Sequence, residues 1–434
     1  KDLGRRILSN LNRVPSGISD YTGKIILAKE LFPSDLIKLA AQHAEGFILY
    51  GISAAAHLSI LARSLDLPVV LTDSPDFHTV SEARLLIIDG KQHAVLVNPD
   101  DSVIAHYRET REHLDALLEE EQPLPAESFT RDGRRINVLS NINLLTDMKI
   151  AWKYNAEGIG LYRTEFPFLI RNSFPQEEEQ YRVYRRIFED AGEREVTLRT
   201  LDIGGDKYLA YVPEMNEKNP FLGLRAVRFS LKNHEVFSKQ LRAMFRAGAG
   251  RELKVMFPLV ASLDEFREAR DFALRCLEEL DAEGVSRCGK IKIGLMIELP
   301  SAVEMIDELV EESDFVSIGT NDLVQYLVGI DRTNEHVADL YTPYHPSVLR
   351  SLYRVVTAAV AAGREISVCG DAGSNPDILE FLIGCGLTRI SVDPRRLQLV
   401  KQSIASVSYT EARDRVPELL ACRTIAEVKG RFER

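Results

Sequence analysis

Four short apolar runs of this chain end in residues that can grip an anion: GIGLYRTEF (158–166), TLRTLDIGGDK (197–207), IKIGLMIELP (291–300) and FVSIGTNDLVQY (315–326). With the stretches between them they supply Arg163, Glu165, Arg199, Asp202, Lys207, Arg225, Glu298, Asn321, Asp322 and Arg332. Guanidinium groups present planar, paired donors that match phosphate and carboxylate. Transfer of a phosphoryl group needs its equatorial oxygens held by such cations while donor and acceptor stand in line. Arg163, Arg199, Arg225 and Arg332 are the candidates for that work, with Lys207 and Asn321 as further contacts. Glu298 and Asp322, read here as ending adjacent strands, suit a hard cation such as Mg²⁺, which takes one or two protein carboxylates besides substrate oxygens and water. Asp202 and Asp206 read as carboxylates that orient the arginines. The set implies a small, highly anionic substrate.

Positioning so many charges at one place requires a scaffold whose strand ends converge. Eight segments are short, β-branched and nearly uninterrupted, as buried parallel strands are: 136–140, 158–163, 196–203, 254–260, 291–298, 315–321, 366–370 and 389–393. Helical-length spacers separate them, and eight such units close a (β/α)₈ barrel, with active-site residues at the C-terminal strand ends. The long interval between the third and fourth strands predicts an insertion over the mouth at 204–235. Upstream, KIILAK, GFILYG, PVVLT, RLLIID and HAVLVNP surround one helix-like segment, HLSILARSLDL, the pattern of a small α/β domain. YRETREHLDALLEEEQ then reads as a connecting helix and PLPAESFTRDG as a loop. The expected divisions are 21–104, 105–132 and 133–434.

Composition narrows the function class. The formal net charge is −11, which excludes general nucleic-acid binding, since that needs a basic face to replace counterions. No apolar run approaches the roughly 18 residues that span a bilayer. Five cysteines, odd in number and without zinc-ligand spacing, point to a reducing cytoplasm.

LYRTEF, TLDIGGDK, NPFLGLRA, MFPLV, IGTNDL, GIDR and HPSVL follow one another in this order. From about residue 20 onward the chain resembles enzyme I of the bacterial phosphoenolpyruvate:sugar phosphotransferase system, within the wider family of PEP-utilising enzymes. The resemblance implies a swivelling phosphohistidine domain before a TIM barrel that binds phosphoenolpyruvate with Mg²⁺. It further implies a histidine phosphocarrier protein as partner and a homodimer formed through the barrel. KDLGRRILSNL, within residues 1–20, resembles the end of an upstream helical region that docks the carrier, and that docking region is expected to lie outside this chain.

The resemblance assigns two catalytic residues. His57 is the phosphoryl acceptor, at the start of an expected helix whose free amides favour a phosphoryl group. The family shows Gly-Gly, a variable residue and Thr-Ser before this histidine, whereas this chain has Ile52-Ser53-Ala54-Ala55-Ala56. Cys369 corresponds to the acid that protonates the enolate carbon left by phosphoenolpyruvate. The family follows it with Gly-Glu, and here Gly370-Asp371 stands instead. A PEP-binding regulatory module with a silent histidine segment is the alternative that these departures leave open. Whether the pathway is carbohydrate uptake or the nitrogen-related branch stays open as well.

Overall fold

The computed structural model describes residues 21–433 apart from 29–30, 32–34, 37–38, 41, 51–61, 63–66, 73–79, 81–82, 84, 90–93, 120–123, 170, 172, 206, 208, 210, 213–216 and 335. His57 and the residues before it at 52–56 lie outside the described residues, as do Asp206 and the segment 1–20. Two compact units are present: residues 1–122 with 206–208, and residues 123–205 with 209–434.

In the first unit, strands β1 (Ile25–Ala28), β2 (Gly46–Tyr50) and β3 (Val69–Thr72) form a parallel sheet in the order β1-β2-β3. The middle strand is paired on both edges, so Phe47, Ile48 and Leu49 are buried. Strands β4 (Leu86–Asp89) and β5 (Ala94–Val97) make an antiparallel pair. Helix α1 (Asp101–Glu119) starts six residues earlier than the expected connecting helix, which began at Tyr107. The cause is a cap: the Asp100 carboxylate accepts the backbone N–H groups of Ser102 (3.1 Å) and Val103 (3.0 Å), satisfying two first-turn donors.

The second unit is built on eight parallel strands: β7 (Arg135–Ile142), β8 (Gly158–Arg163), β9 (Glu195–Arg199), β10 (Glu252–Phe257), β11 (Lys290–Ile297), β12 (Phe315–Ile318), β13 (Glu365–Val368) and β14 (Arg389–Val392). Each pairs with the next and β14 pairs with β7, so the expected (β/α)₈ barrel is closed; the two-residue β6 (Ser128–Phe129) pairs antiparallel with β7. Around it stand α2 (Leu145–Lys153), α3 (Glu177–Ala191), α4 (His234–Ala247), α5 (Leu263–Ala282), α6 (Ile306–Glu312), α7 (Thr320–Val328), α8 (Pro346–Ala361), α9 (Pro376–Gly384) and α10 (Leu397–Ser406). Side chains on alternate strand positions face opposite ways. One set joins the large core under the helices, including Ile159, Leu198, Val255 and Leu295. The other fills the barrel, where Leu161, Met256, Met296, Phe315 and Cys369 pack together.

The barrel's opposite end is closed by ion pairs. Buried Lys254 reaches Glu195 (3.0 Å) and Glu365 (2.6 Å), and Arg389 joins the same two carboxylates. A buried ammonium is tolerable only when paired in this way.

Several expectations need correction: the strand expected at 196–203 stops at Arg199 and the one expected at 254–260 stops at Phe257. The strand expected at 315–321 stops at Ile318, and Asn321 and Asp322 belong to the first turn of α7. The insertion expected at 204–235 is shorter, because Val227–Lys232 is helical and α4 begins at His234, as part of the helical layer. Its described part is irregular save for a 3₁₀ turn at Pro220–Leu222.

Candidate active site

Strand parity aims the charges. Leu161 and Met296 point into the barrel, so Arg163 and Glu298, each two residues further on, face the same interior at its mouth. Arg163 on β8 and Arg199 on β9 are direct register partners, which sets two arginine positions side by side at the mouth. The β8–β9 register shifts between Ile159 and Tyr162, an irregularity of the kind that re-aims side chains next to sites.

From Arg199 a buried ionic chain crosses the mouth. Arg199 pairs with Glu165 and with Asp202 (3.3 Å), and its Nη1 lies 3.7 Å from the Met296 sulfur. Asp202 also accepts from Arg225 Nε (3.0 Å). Arg225 continues to Asp322, its Nη1 and Nη2 donating to Oδ1 (3.2 Å) and Oδ2 (3.1 Å). Arg332 Nη2 approaches Asp322 Oδ1 at 3.9 Å. Asp202 thus sits between two arginines, the orienting place expected of it. Arg225, only 1% exposed, spends its donors on two carboxylates and the Tyr326 hydroxyl (3.2 Å). The chain turns tightly enough to cover it because Gly204 adopts φ +105°; a Cβ there would lie 2.8 Å from that of Arg225.

These neighbours decide the charge states. Burial works against the Arg225 charge, but Asp202 and Asp322 more than compensate and the guanidinium stays firmly protonated. Asp322 is pushed up by burial and pulled down further by Arg225 and Arg332, ending below the ordinary carboxylate range. Glu298 goes the other way. Burial, then repulsion from Asp322 and Asp202, pushes it up to about 7. Its Oε1 accepts the Leu259 N–H at 2.5 Å.

Among the described residues no group of three or more His, Cys, Asp or Glu side chains gathers for a metal. Glu298 and Asp322 nonetheless fit a hard divalent cation: both donor groups are oxygens, and a cation offsets the burial and repulsion that favour a proton on Glu298. Arg199 offers the complementary sign of fit for an anion. Its buried Nε–H finds no acceptor among the described residues.

At the end of β13, the thiol of Cys369 is 2% exposed and points to the Ile318 carbonyl (3.5 Å). Burial pushes it up to about 11, so it holds its proton near neutrality. Gly370 follows because a Cβ there would meet Thr320 Oγ1 at 2.0 Å. Asp371, the departure from the family pattern, turns to Asn321: its backbone N–H donates to Asn321 Oδ1 (2.8 Å), and its carboxylate accepts from Nδ2 (2.9 Å).

The structure therefore brings together Arg199, Arg225, Arg332, Glu298, Asp322 and Cys369, with Arg163 beside Arg199 and Asn321 on the same first turn as Asp322. Lys207 is grouped with the first compact unit. Sequence reasoning missed Met296 and Tyr326. Tyr326 had a signal, being four residues past Asp322 on α7 and hence on its face.

The PEP-binding domain of PEP-utilising enzymes matches residues 118–409, and the mobile domain of the same enzymes matches residues 21–93. The chain belongs to the PEP-utilising enzymes. Phosphoenolpyruvate-protein phosphotransferases from Bacillus sp. (strain S) and Geobacillus stearothermophilus are each 38% identical over 433 residues, 99% of this chain and 75% of theirs. That of Staphylococcus carnosus is 36% identical over the same shares. Among solved structures, an HpcH/HpaI aldolase from Desulfitobacterium hafniense DCB-2 aligns with 66% of this chain and 94% of its own at 18% identity and a TM-score of 0.34, too weak a likeness to argue from. The two PEP-utilising matches include every residue of the ionic chain, Cys369 and the position of His57.

Proposed function

We propose that the chain is a phosphoenolpyruvate-protein phosphotransferase that takes the phosphoryl group of phosphoenolpyruvate onto His57, releases pyruvate and hands the group to a histidine of a small phosphocarrier protein. The relatives that match along almost the whole chain carry that activity in their names. The single structural observation behind it is Arg199, a buried guanidinium at the barrel mouth, register-paired with Arg163 and keeping one donor uncommitted among the described residues.

In this reading Arg163, Arg199 and Arg332 hold the phosphate and carboxylate of the substrate, and Asn321 and Lys207 add contacts. Arg225 acts from behind, fixing Asp202 and Asp322. The His57 imidazole attacks phosphorus, and the bond from phosphorus to the enol oxygen breaks with its electron pair kept on oxygen. The methylene carbon of the enolate then takes the proton of Cys369, giving pyruvate, and the thiolate recovers a proton from solvent. Glu298 and Asp322 would hold Mg²⁺, which supplies neutralising charge to substrate oxygens. Five free thiols agree with action in the reducing cytoplasm.

Incubation with phosphate-labelled phosphoenolpyruvate and Mg²⁺ tests the reading. Acid-labile label on the wild-type chain and none on His57→Ala supports it; tight binding with no label would make the chain a regulatory module.

Because Cys369 titrates near 11, its protonated, donating form persists throughout the neutral range and is lost only as pH rises through that value. Cys369→Ala should slow pyruvate release while leaving phosphoryl transfer to His57 largely intact. The wild-type enolate-protonation rate should be flat from about pH 6 to 9, followed by rapid quench. Equal pyruvate rates with and without the thiol would return Cys369 to the core.

The chain is further proposed to pair through its barrel, with 326–350 and 372–380 as contacts; Leu340, 58% exposed in the first segment, would be an apolar anchor. Sedimentation at micromolar concentration should show a dimer, and a monomer unaffected by phosphoenolpyruvate and Mg²⁺ would refute it.

A further inference from the structure

Gln240 occupies the inward stripe of α4 among Phe237, Leu241 and Met244, where helical spacing calls for an apolar side chain. It is 1% exposed, and a buried amide is costly unless its hydrogen bonds are made. They are made to the strand ends that carry the anion-binding residues. Its Oε1 accepts the backbone N–H of Leu201 (2.9 Å), and its Nε2 donates to Thr164 Oγ1 (3.1 Å) and to the Tyr184 hydroxyl (3.4 Å). Thr164 Oγ1 in turn donates to the Arg199 carbonyl (3.0 Å). The far side is anchored, since Tyr184 donates to Gln180 Oε1 (3.1 Å), whose Nε2 donates to the Pro175 carbonyl (3.0 Å).

The places of these contacts are specific. Thr164 stands between Arg163 and Glu165, and Leu201 between Arg199 and Asp202, just past the last ladder residue of β9. There the strand pairing no longer fixes the backbone. An amide has an acceptor and a donor on one carbon, so Gln240 can bind the end of each strand at once. We propose that Gln240 is a positioning residue: with Thr164 it locks the ends of β8 and β9 so that Arg163 and Arg199 stand side by side toward the substrate anion. This rests on the reading that phosphoenolpyruvate binds at the barrel mouth.

The test is calorimetric titration of the full chain with phosphoenolpyruvate and Mg²⁺, at a temperature where circular dichroism shows each variant folded. Gln240→Leu and Thr164→Val should each weaken binding about tenfold, and the double variant should be little worse than either, because both remove one linkage. Thr164→Ser keeps the hydroxyl and should bind within about twofold of wild type. A purely structural role predicts lower thermal stability with unchanged affinity in folded Gln240→Leu, and that result overturns the proposal. Should Gln240→Leu not fold, the Thr164 pair decides: equal affinity for the valine and serine variants overturns it, and a tenfold gap supports it. A wild type that fails to bind phosphoenolpyruvate overturns the functional reading and this inference with it, whereas normal wild-type binding with unaffected variants overturns this inference alone.

Discussion

Asp322→Ala and Glu298→Ala should each cut Mg²⁺-dependent turnover by roughly a hundredfold or more, corresponding to about 3 kcal/mol of lost charge stabilisation. The two losses differ in cause. Removing Asp322 also strips one of its two carboxylate partners from Arg225, a fully buried guanidinium, and lowers stability. Glu298→Gln is the cleaner probe because it keeps the shape and an acceptor for the Leu259 N–H. Its effect on stability has a defined sign. The Glu298 carboxyl is raised on folding to about 7, so its contribution is fully present below the ordinary carboxylate range and is lost as pH rises through about 7. Without Mg²⁺ at pH 8, therefore, the ionised wild type carries a penalty, from burial and from repulsion by Asp322 and Asp202, that the glutamine variant avoids. Glu298→Gln should melt higher than wild type there, with the advantage vanishing near pH 4. Added Mg²⁺ should stabilise the wild type and leave the variant unmoved. Full turnover in EDTA, or a wild-type melting temperature indifferent to Mg²⁺ at pH 8, would remove these carboxylates from metal binding.

The barrel was legible because buried parallel strands are written in the sequence as short apolar runs, and closing eight of them leaves little freedom. β8 matches its run residue for residue, and the apolar core of β11 lies one residue from its expected bounds. Legibility failed where charge follows a strand. At Gly319 the chain leaves β12 for α7, and a run read as strand to residue 321 missed that turn, because Thr320 suits a strand and Asn321 favours neither state strongly. The composition of the site was readable, yet its internal economy was not. Arg163, Arg199 and Arg225 look alike in sequence. Only contacts distinguish a half-buried arginine reaching Asn143 at 3.4 Å from one wholly engaged by Asp202 and Asp322. Gln240 was invisible for a different reason. A single polar residue on an amphipathic stripe is indistinguishable from a stripe edge until its partners on other elements are known.

That contrast among the arginines shapes the second large effect. Arg163→Ala and Arg332→Ala should each weaken phosphoenolpyruvate binding about ten- to a hundredfold, the worth of one or two charge-assisted contacts at about 1.5–3 kcal/mol in all. Both should do so at nearly unchanged thermal stability. Arg163 is held by a long hydrogen bond to Asn143 (3.4 Å), and Arg332, a quarter exposed, approaches Asp322 at 3.9 Å. Arg199→Ala should behave otherwise, because it takes the paired cation from the buried Glu165 carboxylate, whereas Asp202 keeps Arg225. Breaking a buried pair on one side costs about 3–5 kcal/mol, so this variant should lose stability together with affinity. Removing the stranded carboxylate too, as Arg199→Ala with Glu165→Gln, should restore part of the melting temperature and none of the binding. Titration and melting curves on the same preparations separate the cases. Wild-type affinity in Arg163→Ala would take that arginine out of the site, and recovery of binding in the double variant would mean that Arg199 serves the fold rather than the substrate.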